Sequence, residues 1–256
     1  MKICVLSSGS GGNSTYLSSG KSSLLIDSGV SCRELSRRLA RIGATPDSID
    51  TIALTHEHID HIAGVTAFSS RYGIPVRASA GTVRESPLSS HLDRFSSLTT
   101  GVPFTAGCLR VAPFPVPHDA AEPVGFTVTD GAVKVGIATD LGSLTLEVMA
   151  GLADCDVVIL ESNHDSDMLV DGPYPWYVKE RIASPLGHLS NADAADLIRA
   201  IRHEGLRHLV LVHLSETNND PAMTLDSARK ALGRKGGGVL VSLGWQHRVG
   251  DLVDLG

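Results

Sequence analysis

Thr55-His56-Glu57-His58-Ile59-Asp60-His61 is the stretch on which the reading of this chain turns. Three histidines and an aspartate fall between positions 56 and 61, directly after Thr51-Ile52-Ala53-Leu54, which reads as a buried strand. In extended backbone, residues two apart point to the same side, so His56 and His58 face one position together. Asp60 and His61 follow where the chain turns into a helix, with Ile62, Val65 and Phe68 on its inner face. They face a second position a few ångströms away. A polar loop carrying histidines by chance would desolvate several imidazoles for no return. Imidazole with carboxylate suits zinc, manganese or iron, and two cations held close together account for the density.

Polar residues recur at the ends of apolar strands. Val111 to Val116 runs into Pro117-His118-Asp119, and Val135 to Thr139 into Asp140. Val157-Val158-Ile159-Leu160 ends in Glu161-Ser162-Asn163-His164, and Leu209-Val210-Leu211-Val212 ends in His213. Sheets with interleaved helices tend to build sites at strand ends. His188 and His213 both follow plausible landmarks, and spacing alone does not separate them as donors.

Composition sets the frame. The chain has 256 residues, 42% hydrophobic and 20% charged, an ordinary globular balance. Its net charge of −6 argues against a broad basic surface, though not against a local groove. Cys4, Cys32, Cys108 and Cys155 are scattered with no CxxC, as expected of reduced thiols. The N-terminus lacks a signal-peptide pattern, and no apolar run reaches the roughly 20 residues of a membrane span. A cytoplasmic protein with no membrane partner is expected; its oligomeric state is left open.

Strands are expected at Lys2–Leu6, Thr15–Ser18, Ser23–Asp27, Thr51–Leu54, Pro75–Ala78, Leu109–Val116, Gly125–Thr129, Val133–Thr139, Val157–Leu160, His208–Val212 and Val239–Leu243. Helices are expected at Ser31–Ile42, Ile62–Arg71, Leu144–Ala150, Asn191–Glu204 and Thr224–Leu232. Arg33, Arg37 and Arg41 fit a solvated helix face better than a phosphate ridge. The glycine loop Ser7–Asn13 lacks the Lys-Ser/Thr of a P-loop; it reads as a turn or as a close-approach loop whose N–H groups hold an anion. Hairpins early and interleaved helices later predict an α/β fold, a four-layer αββα sandwich of two mixed sheets flanked by helices, in one domain over 1–256.

The run from His56 to His61 is the His-x-His-x-Asp-His signature, by which the chain resembles the metallo-β-lactamase superfamily along nearly its whole length. The resemblance implies a first metal on His56, His58 and His118, a second on Asp60, His61 and His213, and Asp140 bridging both. Ser8-Gly9-Ser10, Gly12-Asn13, Glu161-Ser162-Asn163-His164-Asp165, Gly187-His188-Leu189-Ser190-Asn191 and His213-Leu214-Ser215 resemble the YycJ-like family, regarded as DNA exonucleases. Glu161 and His188 are also similar to a glutamate–histidine pair of the tRNA 3′-end processing endonuclease.

The expected activity is therefore a phosphodiesterase or nuclease with two divalent ions, zinc or manganese, acting on nucleic acid, with DNA favoured over RNA. Two cations lower the pKa of a bridging water to give hydroxide. Asp60 orients that water or takes its proton, and His188, polarised by Glu161, protonates the leaving oxygen. The alternative is a small-molecule cyclic phosphodiesterase or a glyoxalase II-like thioesterase, which the acidic net charge favours. The span from His118 to Asp140 is too short for a tRNA-binding arm. Substrate choice then falls to the loops Ala80–Thr100 and Met168–Pro185. In the second, Tyr174, Trp176 and Tyr177 beside Lys179 and Arg181 either stack bases or pack a helix start against the core. Trp245-Gln246-His247 reads as structural.

Overall fold

A computed structural model describes residues 1–87, 95–233 and 236–256. Its strands are β1 (Lys2–Ser7), β2 (Ser14–Ser19), β3 (Ser22–Ile26), β4 (Thr51–Ala53), β5 (Val76–Ser79), β6 (Phe95–Leu98), β7 (Phe104–Ala106), β8 (Leu109–Pro115), β9 (Val124–Thr129), β10 (Lys134–Ala138), β11 (Val157–Glu161), β12 (His208–Val212), β13 (Leu240–Leu243) and β14 (Val253–Asp254). The helices are α1 (Cys32–Arg41), α2 (Ile59–Ile62), α3 (Val65–Tyr72), α4 (Ala80–Glu85), α5 (Leu146–Leu152), α6 (Ser166–Asp171), α7 (Trp176–Ile182), α8 (Asn191–Ile201) and α9 (Pro221–Leu232).

The strands form two seven-stranded sheets, ordered β14-β1-β2-β3-β4-β5-β6 and β13-β12-β11-β10-β9-β8-β7. Both are mixed in the same way. In the first, β14 through β3 pair antiparallel and β3 through β6 parallel. In the second, β7 through β10 pair antiparallel and β10 through β13 parallel.

Side-chain alternation makes the layers. Ile3 and Val5 of β1 face the other sheet, where they join a core with Val157, Ile159, Val210 and Val212. Cys4 and Leu6, one residue out of phase, face the opposite way and pack with Leu35, Leu39 and Phe68 of α1 and α3. On the second sheet Val158 and Leu160 turn outward to Val148, Leu197, Ile198 and Ala228 of α5, α8 and α9. Strands buried on both faces read as continuous apolar runs, and the result is the expected αββα sandwich.

Local differences have physical causes. The expected helix Ile62–Arg71 is two pieces, α2 and α3. It breaks at Gly64, whose N–H donates to the Ser28 carbonyl at 2.8 Å, drawing the chain toward the loop after β3. Within the two stretches read as loops, the structure forms α4 and β6 in the first and α6 and α7 in the second; residues 88–94 of the first lie outside the described residues. Arg37 is exposed and pairs with Glu34, whereas the neighbouring Arg38 is buried and donates to the Leu6 and Gln246 carbonyls.

Candidate metal centre

Strand ends and the loops that follow them converge at one end of the sandwich. Asp27 follows β3, His56 follows β4, Asp140 follows β10, Glu161 ends β11 and His213 follows β12. Asp27, Asp140 and His213 have φ of 63°, 56° and 57°. Non-glycine residues rarely adopt this left-handed backbone, and it is retained where surrounding bonds over-determine it. Here the chain turns sharply at each strand end, which brings the three side chains to one cluster.

His56, His58 and His118 form one group of potential donors, Asp60, His61 and His213 a second, and Asp140 joins His56 and His61 in a third. Asp140, Glu161, His188 and His213 make a fourth, and within each group the candidate atoms lie within 4.8 Å of one another. Every residue expected from the sequence thus lies in this one cluster.

The rings are oriented from behind. His61 Nδ1 donates to Asp27 Oδ2 at 2.8 Å. Thr55 donates its hydroxyl to the same oxygen at 2.8 Å and lies 3.0 Å from His56 Nδ1, so it accepts from that ring. His118 Nδ1 donates to the Gly187 carbonyl at 3.1 Å, and His213 Nδ1 to Glu161 Oε1 at 3.0 Å. In each case Nδ1 is held by the protein, leaving Nε2 toward the cluster. His58 turns Nδ1 inward, 3.3 Å from His118 Nε2.

His56 Nε2 and His213 Nε2 are buried without a hydrogen-bond partner. Buried polar atoms are almost always satisfied, so orphaned imidazole nitrogens within a cluster of histidines and carboxylates mark a cation position. The donor set fits divalent metal: His56, His58 and His118 make one candidate group, Asp60, His61 and His213 another, and Asp140 lies within reach of donors from both.

Electrostatics agree. Burial alone would raise the pKa of Asp60, but the neighbouring His213 and His61 rings hold it well below the carboxylate range. Burial opposes charge on His61 and on His213 too, yet Asp140 and the other carboxylates raise both above the ordinary histidine value. Burial and the neighbouring His61 push His56 down, keeping it neutral. The carboxylate field that favours protons on His61 and His213 equally favours a cation, for which those protons must leave.

His188 stands beside the cluster. Its Nδ1 donates to Glu161 Oε1 at 2.8 Å, and its Nε2 has no partner among the described residues. Glu161 is fully buried; its Oε2 also accepts from the N–H groups of Leu141 at 2.7 Å and Leu189 at 3.2 Å. Its carboxylate is therefore consumed in positioning two rings and two backbone turns.

Asp27 lies outside the motifs read from the sequence, and Thr55 and Asn13 stand within them without a role assigned there. Asp27 carried the same signal as Asp140, a carboxylate ending an apolar strand. Asn13 sits 2.9 Å by Nδ2 from His61 Nε2 and 3.1 Å from Asp60 Oδ2. The glycine loop bearing Asn13 is no anion cradle: the N–H of Gly9 bonds Asn13 Oδ1, that of Gly11 bonds Gln246 Oε1, and that of Gly12 bonds the Gly9 carbonyl. The loop instead braces the second donor group. Asn13 N donates to the Asp60 carbonyl at 2.7 Å, and Ser8 Oγ accepts from His213 N at 2.6 Å. Gly29 completes the brace, since a Cβ there would lie 1.6 Å from the Asp60 carbonyl oxygen.

Residues 23–214 match the β-lactamase superfamily domain. The chain is 36% identical over 224 residues to exodeoxyribonuclease WalJ of Streptococcus pneumoniae, covering 85% of this chain and 83% of that protein. It is 33% identical over 245 residues to exodeoxyribonuclease YycJ of Bacillus anthracis, covering 93% and 92%. The crystal structure of the metallo-β-lactamase fold protein YhfI from Bacillus subtilis superposes with a TM-score of 0.77 at 18% identity, covering 99% of each chain.

Proposed function

The chain belongs to the β-lactamase superfamily and is a metal-dependent hydrolase, and we propose that it is a DNA exonuclease with two divalent ions, zinc or manganese, at its centre. The observation that carries the metal reading is the pair of orphaned buried nitrogens, His56 Nε2 and His213 Nε2, each within the donor cluster around Asp140. The exonuclease reading is supported by relatives of that name matched over most of the chain. Its proposed setting is the cytoplasm; no helix among the described residues is long and apolar enough to cross a membrane.

Divalent ions held by these donors would polarise a phosphoryl oxygen and acidify a water at neutral pH. The protein supplies the rest. Asp60, fixed through Asn13, orients the attacking water. His188, anchored through Nδ1 to Glu161, presents Nε2 to protonate the departing oxygen. Glu161 acts through the two rings it holds and does not touch the phosphate. A thioester releases a thiolate that needs no such acid, so this pair favours a phosphodiester.

The test is digestion of end-labelled single- and double-stranded DNA and RNA by metal-loaded protein. Mononucleotide release from DNA, absent in Asp60→Ala, is the expected result. His188→Ala should lose most activity on DNA, and far less on a phosphodiester with a p-nitrophenolate leaving group. Thioester turnover with all nucleic acid left intact would overturn the proposal.

A further inference from the structure

Residues 171–186 contain no buried residue, and α7 within them buries none of its side chains. This is unusual for a helix, because helices in proteins gain most of their stability by packing an apolar face. Even the six-residue α6 buries Leu169. Yet α7 carries large apolar side chains, Trp176 at 64% exposure and Tyr177 at 73%, with Leu186 beyond its end at 50%. The aromatics therefore do not pack the helix start against the core.

What α7 lacks in packing it makes up in attachment to the metal centre. Arg181 Nε bonds Asp119 Oδ2 at 2.6 Å, and Asp119 Oδ1 lies 3.3 Å from His118 Nε2. The Ile182 carbonyl accepts from His188 N at 2.8 Å, and the Leu186 carbonyl from Asp119 N at 3.0 Å. A Cβ on Gly187 would lie 2.2 Å from the Arg181 and Ile182 carbonyl oxygens, so the chain closes tightly between α7 and His188. Tyr177 and Arg181 are four residues apart and share a helix face, which leads from the exposed aromatics to the mouth of the site.

We infer that α7 is the landing surface for the unpaired end of a DNA strand, with Trp176 and Tyr177 stacking on bases and Arg181 meeting the phosphate next to the one cleaved. The inference rests on the exonuclease reading. Aromatic faces exposed beside cations are what a single strand requires, because its bases offer free π-faces and its backbone is anionic. Duplex bases are already stacked, so the surface selects single-stranded or frayed ends.

The test is steady-state cleavage of single-stranded and blunt duplex DNA by metal-loaded wild type, the Trp176→Ala/Tyr177→Ala double variant, and Arg181→Gln. The double variant should raise KM for single strands at least about fivefold, from the cost of losing base–aromatic stacks, with kcat largely retained. Trp176→Phe/Tyr177→Phe should restore most of the affinity, and Arg181→Gln should raise KM in the same direction. Val102→Ala, an exposed apolar residue elsewhere, serves as the control. An unchanged KM in the double variant overturns the inference. So does a wild-type dimer that the double variant dissociates while KM holds, which would assign the surface to a second copy. If the wild type cleaves no DNA, the exonuclease reading fails, and anisotropy titration of a fluorescent oligonucleotide decides this inference alone: equal binding by wild type and double variant overturns it.

Discussion

Asp27 Oδ2 lies 2.8 Å from His61 Nδ1, and both side chains are buried. The pair fixes which nitrogen of His61 faces the cluster. Asp27 Oδ1 also accepts from Thr55 N at 2.8 Å, so one carboxylate sets the start of the histidine motif and the tautomer of its last ring. In Asp27→Asn an amide N–H must replace one of these acceptors. Affinity for the ion taken by His61 should drop about 10- to 100-fold, as for other carboxylates behind a metal-binding histidine. Competition with a chromophoric chelator measures this; unchanged affinity would show that His61 needs no such support.

Glu161 Oε1 serves His188 and His213, while Oε2 serves two backbone N–H groups. In Glu161→Gln the new amide group faces donors on at least one side. Stability should fall by about 2–4 kcal/mol, the range for leaving buried groups unsatisfied around a lost charge. Urea denaturation of the metal-free protein reads this without interference from catalysis. A midpoint equal to wild type would contradict the network described.

Glu34 links α1 to the sheet through Arg38. Arg37 first, and then Arg38, hold its carboxyl at about 2. A depressed pKa contributes stability that is fully present above the ordinary value near 4.5 and is lost as pH falls toward about 2. Glu34→Gln should therefore be less stable than wild type at neutral pH, with the gap closing between those values. A gap constant down to pH 2.5 would contradict the pairing.

Much of this architecture is legible in the chain. Ile3, Cys4, Val5 and Leu6 alternate between two cores, and an unbroken apolar strand such as Val157–Leu160 announces burial on both faces. The donors could be read because each ends such a strand or falls in one dense motif. Other parts leave little trace. β6 and β14 are short edge strands, the latter of two residues, with weak alternation. α7 has no fully buried stripe to read. Asn13 was hidden because a glycine-rich loop looks alike whether it cradles an anion or braces a neighbour; only the hydrogen bonds of Gly9, Gly11 and Gly12 distinguish the two. Glu161 is visible as a strand-end acid, but its double attachment to His188 and His213 depends on residues distant in sequence.

The cluster is proposed to hold two cations in separate donor groups. Native mass spectrometry of protein reconstituted with zinc or manganese tests it most directly. The expected result is two divalent ions per chain in the wild type, about one in His56→Ala and about one in His213→Ala, because each variant removes a donor from only one of the two proposed ions. A wild type that retains no ion, or single variants that each still hold both, would contradict it.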